Sequence, residues 1–373
     1  MATLFEETAI NGMTMRNRLV RSATWEGMCG DDGRPTEKLI NCYRDLANGG
    51  VALIITGYAF VGPDGKQMPG QMGLHADGFK EEFRKLTAAV HEAGASIAVQ
   101  LVHAGGQTDS ITAGRRPLAP SAVKVDQFPE TPAWLSKGEI SAIIDAFGEA
   151  ALRARSWGFD GVQLHAAHGY LINQFLSPHT NRRTDEYGGG IENRCRFLLE
   201  VYRKVRSLVG SDYPVLVKLT GADNLEGGLK NEEAVYAALK LDEAGVDAIE
   251  VSGGTAASGE ENPAREKIIR PEQEAYNMGV ARTIRAAVRC QVMVVGGFRS
   301  HGIAEKAVSG EGIDYISMAR PLIWEPGLPN RWLNGDRGPA KCISCNGCFT
   351  PGVKEGGIYC VIARKMWEKA AKG

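Results

Sequence analysis

The chain has 373 residues, 43% of them hydrophobic and 23% charged, with a formal net charge of −1. That length suits one α/β barrel carrying insertions, and the composition is that of a globular protein with a sizeable core. With near-neutral charge and no stretch dominated by Lys and Arg, a nucleic-acid or anionic-membrane partner has no electrostatic support. The longest apolar run, around Val51 to Val61, is too short and too Gly-interrupted to span a bilayer.

The first ten residues carry Glu6 and Glu7 and lack an apolar core, so they do not read as a signal peptide, and the expected location is cytoplasmic. Asn11-Gly12 signals the turn of a short N-terminal β-hairpin. Eight apolar, β-rich runs follow: Leu19 to Ala23, Ala52 to Gly57, Ser96 to Leu101, Asp160 to Leu164, Val215 to Leu219, Ala248 to Ser252, Val292 to Gly296 and Tyr315 to Met318. Amphipathic segments lie between them, including Lys80–His91, Ile140–Trp157, Glu192–Leu208, Glu232–Ala244 and Glu274–Ala287. Nearly continuous apolar strands separated by helices indicate a parallel sheet buried on both faces, and the count favours a closed (β/α)8 TIM barrel. The barrel is expected over residues 1–325, with a Cys-rich C-terminal extension over 326–373.

In such barrels chemistry sits where strands end, so polar residues there stand out. His165-Ala-Ala-His168-Gly-Tyr170 follows the fourth strand. Its spacing lets two imidazoles donate to one substrate oxygen beside a phenol able to give up a proton, although metal ligation or plain loop roles suit a His-x-x-His pair as well. Gln100 and His103 close the third strand, where the Gln carboxamide offers a donor and an acceptor together. Lys218, inside the fifth strand, needs a buried partner, either an anion at the barrel top or a core carboxylate. Gly296-Gly297 and Ala319-Arg320 end the seventh and eighth strands, the usual phosphate position of these barrels.

Together these residues resemble the Old Yellow Enzyme family of FMN-dependent reductases, from Leu4 to about Trp324. Further motifs are Asn17-Arg-Leu-Val-Arg-Ser-Ala-Thr24, Asn181-Arg-Arg-Thr-Asp-Glu-Tyr-Gly-Gly189 and Glu192-Asn-Arg194. Within these, Arg182, Asp185 and Arg194 read as structural ion-pairing groups. The resemblance implies that Ser22, Ala23 and Thr24 edge the flavin, with Gly57, Gln100, His165 and Lys218 against its ring system and Gly296, Gly297, Ala319 and Arg320 around its phosphate. It further implies that His165 and His168 bind the substrate oxygen while Tyr170 donates the proton. NAD(P)H would reduce FMN, which would then reduce an activated C=C bond of a small enone or enoyl-type substrate. No Rossmann fingerprint is present, so the nicotinamide is expected to dock transiently. Trp25, or Thr24 in a shifted register, stands where many relatives have Cys or Thr, which bears on substrate size and flavin potential.

Of the eight cysteines, Cys342, Cys345, Cys348 and Cys360 crowd the C-terminal extension. In a chain read as leaderless this favours reduced thiols or metal ligation over disulfides. The spacing is similar to that of the dienoyl-CoA reductase and trimethylamine dehydrogenase types, which implies a [4Fe–4S] cluster; zinc and unligated thiols are the alternatives. Those relatives carry a further nucleotide-binding domain, so a separate electron-donor protein is an expected partner here, and a homo-oligomer is compatible. The competing readings are an amine dehydrogenase or demethylase, which would want an aromatic cage, and an electron-transfer flavin subunit.

Overall fold

The computed structural model describes residues 2–371, so the last two positions of the expected extension, like Met1, lie outside the described residues. Eight strands form one parallel ring. They are β1 (Leu19–Arg21), β2 (Leu53–Ile55), β3 (Ser96–Val102), β4 (Gly161–Ala166), β5 (Val215–Thr220), β6 (Ala248–Ser252), β7 (Gln291–Val295) and β8 (Tyr315–Met318). Each pairs with its sequence neighbours, and the pairing of β8 with β1 through Ile316↔Leu19 closes the barrel. All eight expected strands are present, with ends shifted by a few residues.

Helices pack outside the ring: α1 (Glu37–Asn48), α2 (Lys80–Glu92), α3 (Lys137–Ser156), α4 (Arg196–Val209), α5 (Asn231–Glu243), α6 (Met278–Ala287), α7 (His301–Ser309) and the short α8 (Arg320–Trp324). Their starts are chemically marked. Thr36 caps α1 by accepting from Leu39 N, and Ser136 with Glu139 forms a capping box on α3. The segment expected as one helix over Glu192–Leu208 breaks at Cys195 into Ile191–Arg194 and α4. The helix expected from Glu274 starts only at Met278. Ala275 takes a left-handed φ of 55°, and the Glu274 carboxylate accepts from Arg299 N and Ser300 N instead.

The hairpin at the N-terminus (Thr8–Ile10 and Met13–Met15) turns through Asn11 at φ 51°. Its Ile10, Met13 and Met15 side chains join Val20, Leu53, Leu216, Met293 and Tyr315 in the apolar lower barrel, so the hairpin plugs the end opposite the strand C-termini. A second, larger cluster fills the space between strands and helices. In the Asn181–Gly189 motif, Arg183 rather than Arg182 carries the ion pair: it binds Asp185 at 2.6 Å while Arg182 is exposed. Arg194 pairs with Glu233 as expected of a structural group.

The segment after residue 325 packs over the strand C-termini. Arg299 Nε donates to Cys342 O at 2.7 Å, Lys267 N to Ser344 O at 3.1 Å and Ile358 N to Glu26 O at 2.9 Å. Among the described residues no helix is long and apolar enough to cross a membrane.

Candidate functional site

Above the apolar plug the inward-facing positions turn polar. Gln100 Nε2 donates to Gln163 Oε1 at 2.7 Å, and Gln163 Nε2 donates to Glu250 Oε2 at 2.8 Å. Ser22 Oγ donates to Glu250 Oε1 at 2.6 Å and accepts from Lys218 Nζ at 2.7 Å. The Lys218 partner left open by the sequence is therefore a core carboxylate, Glu250, 3.4 Å away. The chain of bonds ends in Gln100 Oε1, a buried acceptor with no partner. Burial pushes the Lys218 ammonium down from its usual range, against the opposing pull of Glu250.

This floor closes a cavity of about 390 Å³ whose walls come from the strand C-termini and from the tail. Ser22, Ala23, Thr24, Trp25, His168, Tyr170, Lys218, Gly297, Ala319 and Arg320 all line it. A neighbouring space of about 330 Å³ shares Ala23, His168, Tyr170 and Lys218 and adds Gln100 and His165. Two expected residues are not on these walls. Gly57 lies behind them, where an added Cβ would sit 2.2 Å from Glu26 Oε2, so its smallness serves the buried Arg21–Glu26 pair. Gly296 abuts Asn277, and only Gly297, at φ 74° and close against Tyr276, reaches the cavity.

His165 ends β4, and its ring stands 5.1 Å from that of His168, at 87°. His168 has a left-handed φ of 63°, held by its N–H donating to Thr220 Oγ1 at 3.0 Å and by a 2.7 Å bond between Nε2 and Ser252 Oγ. Burial drives both imidazoles well below their ordinary range, helped by Lys218, so both are neutral at physiological pH. His165 Nδ1 is buried without a partner. Tyr170, its ring 4.6 Å from His165, is pushed up to about 12 by burial and stays protonated.

The Tyr170 hydroxyl donates to Gln67 Oε1 at 2.8 Å, and Tyr58 donates to the same oxygen at 2.7 Å. Sequence reasoning missed Gln67 and Tyr58 because they sit on a loop without periodicity. It also missed Glu250 and Gln163, although a carboxylate within Ala-Ile-Glu-Val-Ser was the same signal that singled out Lys218. His103 is not on the cavity walls; its Nδ1 accepts from Gly105 N at 3.1 Å, and its Nε2 stands 3.6 Å from Asp64 Oδ1 without a hydrogen-bond partner. Trp25 packs against Gly27 and Gly352 and donates to Pro69 O at 3.3 Å, joining the barrel top to the tail.

Cys342, Cys345, Cys348 and Cys360 converge on one small cavity of about 20 Å³, with Arg320 on its wall. Arg320 also lines the large cavity, and its Nη1 donates to Arg265 O at 2.8 Å and Asn346 Oδ1 at 2.7 Å. Among the described residues no three His, Cys, Asp or Glu side chains stand in metal-holding geometry. The four expected ligands thus line one space without the geometry of a metal site. No disulfide joins the four, and Cys345 is the exposed one.

A parallel barrel with a polar floor and a cavity at the strand C-termini is the scaffold on which α/β-barrel enzymes build their active sites. The chain belongs to the NADH:flavin oxidoreductase / NADH oxidase family, whose model matches residues 3–336. It is 40% identical over 352 residues to an NADH oxidase of Thermoanaerobacter brockii, covering 93% of this chain and 53% of that protein. An NADPH dehydrogenase of Geobacillus sp. strain WCH70 is 35% identical, with coverage of 87% and 92%. Among solved structures, a 2-naphthoyl-CoA reductase complex superposes with a TM-score of 0.87 at 29% identity, over 95% of this chain and 56% of that one. The chain thus spans about half the length of the NADH oxidase and of the naphthoyl-CoA reductase.

Proposed function

We propose that this protein is an FMN-dependent oxidoreductase that takes hydride from NAD(P)H and passes it to an activated C=C bond of a small enone or enoyl-type substrate. The observation that carries this reading is the pairing of two neutral imidazoles with a protonated phenol above a polar barrel floor that ends in an orphan acceptor.

The residues fit the cofactor. Gln100 Oε1 has no hydrogen-bond donor, and Lys218 offers ammonium protons to the same space, so the floor presents one acceptor and one cation. That set complements the ring edge of a flavin, which carries an N–H between carbonyls. Ser22, Ala23 and Thr24 would line one side of the ring, with His165 above. Gly297, Ala319 and Arg320 would hold the phosphate through backbone N–H groups and the guanidinium. Bound FMN would accept and return the hydride.

The chain's own groups do the rest. His165 and His168, being neutral, hold the carbonyl oxygen of the substrate by hydrogen bonds without protonating it, and these bonds strengthen as charge builds there. Tyr170 keeps its proton at Oη until the substrate carbon needs it. Apolar walls from Trp25, Tyr276 and Phe298 exclude water.

The four thiols supply the donor set of a [4Fe–4S] cluster, and zinc is the alternative occupant. Held by these cysteines, a cluster would supply one-electron transfer, with a separate electron-donor protein as its expected partner. Iron and acid-labile sulfide analysis of anaerobically purified protein decides the occupant: both present supports the cluster, and neither overturns it.

The activity itself is tested by anaerobic NADH and NADPH oxidation with FMN-loaded protein and a small cyclic enone. Consumption that depends on the enone is the expected result. FMN-loaded protein that oxidises neither nucleotide in its presence contradicts the reading.

A further inference from the structure

Lys218 and Glu250 are register partners on β5 and β6. Both are sealed inside the barrel, at 2% and 0% exposure. Each charge would be costly there alone, and each makes the other tolerable. Their coupling is reinforced by the Ser22 hydroxyl, which accepts from Nζ at 2.7 Å and donates to the carboxylate at 2.6 Å. The second carboxylate oxygen is held by Gln163 at 2.8 Å. Lys218 lines both halves of the large cavity, whereas Glu250 lines neither. Substrate binding and proton donation use no group at position 250, and an apolar pair of similar volume at 218 and 250 would fill the barrel at least as stably.

We propose that Glu250 is a positioning and charge-setting residue that acts through Lys218. It orients the ammonium and offsets part of its field, and so sets the midpoint potential of the flavin above it. The inference rests on the FMN reading given above. A lone ammonium under the ring favours the electron-rich reduced flavin. A carboxylate one strand away subtracts from that field, in surroundings where water screens little. The effect is a lower potential, suited to passing hydride onward.

The test is the potential of FMN-loaded wild type, Glu250→Gln and Glu250→Asp. It is measured by anaerobic titration with dithionite, which supplies two electrons per flavin, against a reference dye. Glu250→Gln is expected to shift the reduction equilibrium at least tenfold toward reduced flavin, a rise of about 30 mV. Glu250→Asp keeps the charge and stays within about threefold of wild type. A Glu250→Gln potential equal to or below wild type overturns the proposal.

Removing one member of a buried pair is destabilising, so Lys218→Met and the double variant Lys218→Met/Glu250→Gln give a second comparison. Because Glu250 acts through Lys218, and a sealed carboxylate without its counter-charge takes up a proton, the single and double variants are expected to agree within about threefold. A tenfold difference between these two overturns the proposal as well, since Glu250 would then act without Lys218. Wild type that takes up no FMN defeats the cofactor reading; wild type that binds FMN, with potentials unmoved by these changes, defeats this inference alone.

Discussion

Tyr170 reaches the cavity with its proton firmly held, since burial pushes it up to about 12 and its hydroxyl is parked on Gln67. A phenol that is never ionised in the resting enzyme is a proton donor only at the moment of need. Tyr170→Phe therefore removes the donor and leaves the cavity's shape intact. Flavin reoxidation by an enone should slow by about 10²- to 10⁴-fold while flavin reduction by NAD(P)H holds its rate. Stopped-flow measurement of the two half-reactions checks this, and equal slowing of both would show that Tyr170 only shapes the cavity. At this scale the sequence was legible where residue type was unusual for its place. Two histidines and a tyrosine at a strand end, and a lysine in an apolar strand, declare themselves. Gln67 and Tyr58 do not, because only the folded loop carries them to Tyr170.

The elements explain why the polar floor stays level. Below it, the hairpin drives Ile10, Met13 and Met15 into the barrel end, and Ile10 is fully buried. Ile10→Ala leaves a cavity under the floor and should cost about 2–4 kcal/mol. Urea denaturation would register this as a lower midpoint at unchanged slope, and a loss under about 0.5 kcal/mol would mean the hairpin is peripheral. Strand positions were readable because residues buried on both faces of a parallel sheet must be apolar throughout. Helix starts were less so: the beginning of α6 is decided by Glu274 binding the backbone at Arg299 and Ser300, a contact between distant segments that periodicity cannot reveal.

For the molecule as a whole, the barrel top and the tail are joined at a buried ion pair. Arg21 and Glu26 stand 3.1 Å apart, with Ile358 N bound to the Glu26 carbonyl. Burial raises the Glu26 carboxyl from 4.5 to about 7, opposed by Arg21. A folded-state value above the unfolded one gives stability that is complete below the unfolded value and is lost as pH climbs through about 7. Glu26→Gln abolishes that loss, so the Tm advantage of wild type over the variant should shrink between pH 5 and pH 8. The free-energy change involved is on the order of 3 kcal/mol. Melting curves that stay parallel across that range would refute the assignment. Neither Glu26 nor its link to the tail was visible in the sequence, since both arise from long-range packing, whereas the barrel count and the strand-end chemistry followed from local pattern. The central claim is that the separate strand ends converge to hold a flavin, and visible absorption tests it most directly. Protein incubated with FMN and then desalted should keep flavin bands that bleach on adding NADH or NADPH; protein that emerges colourless would contradict the account.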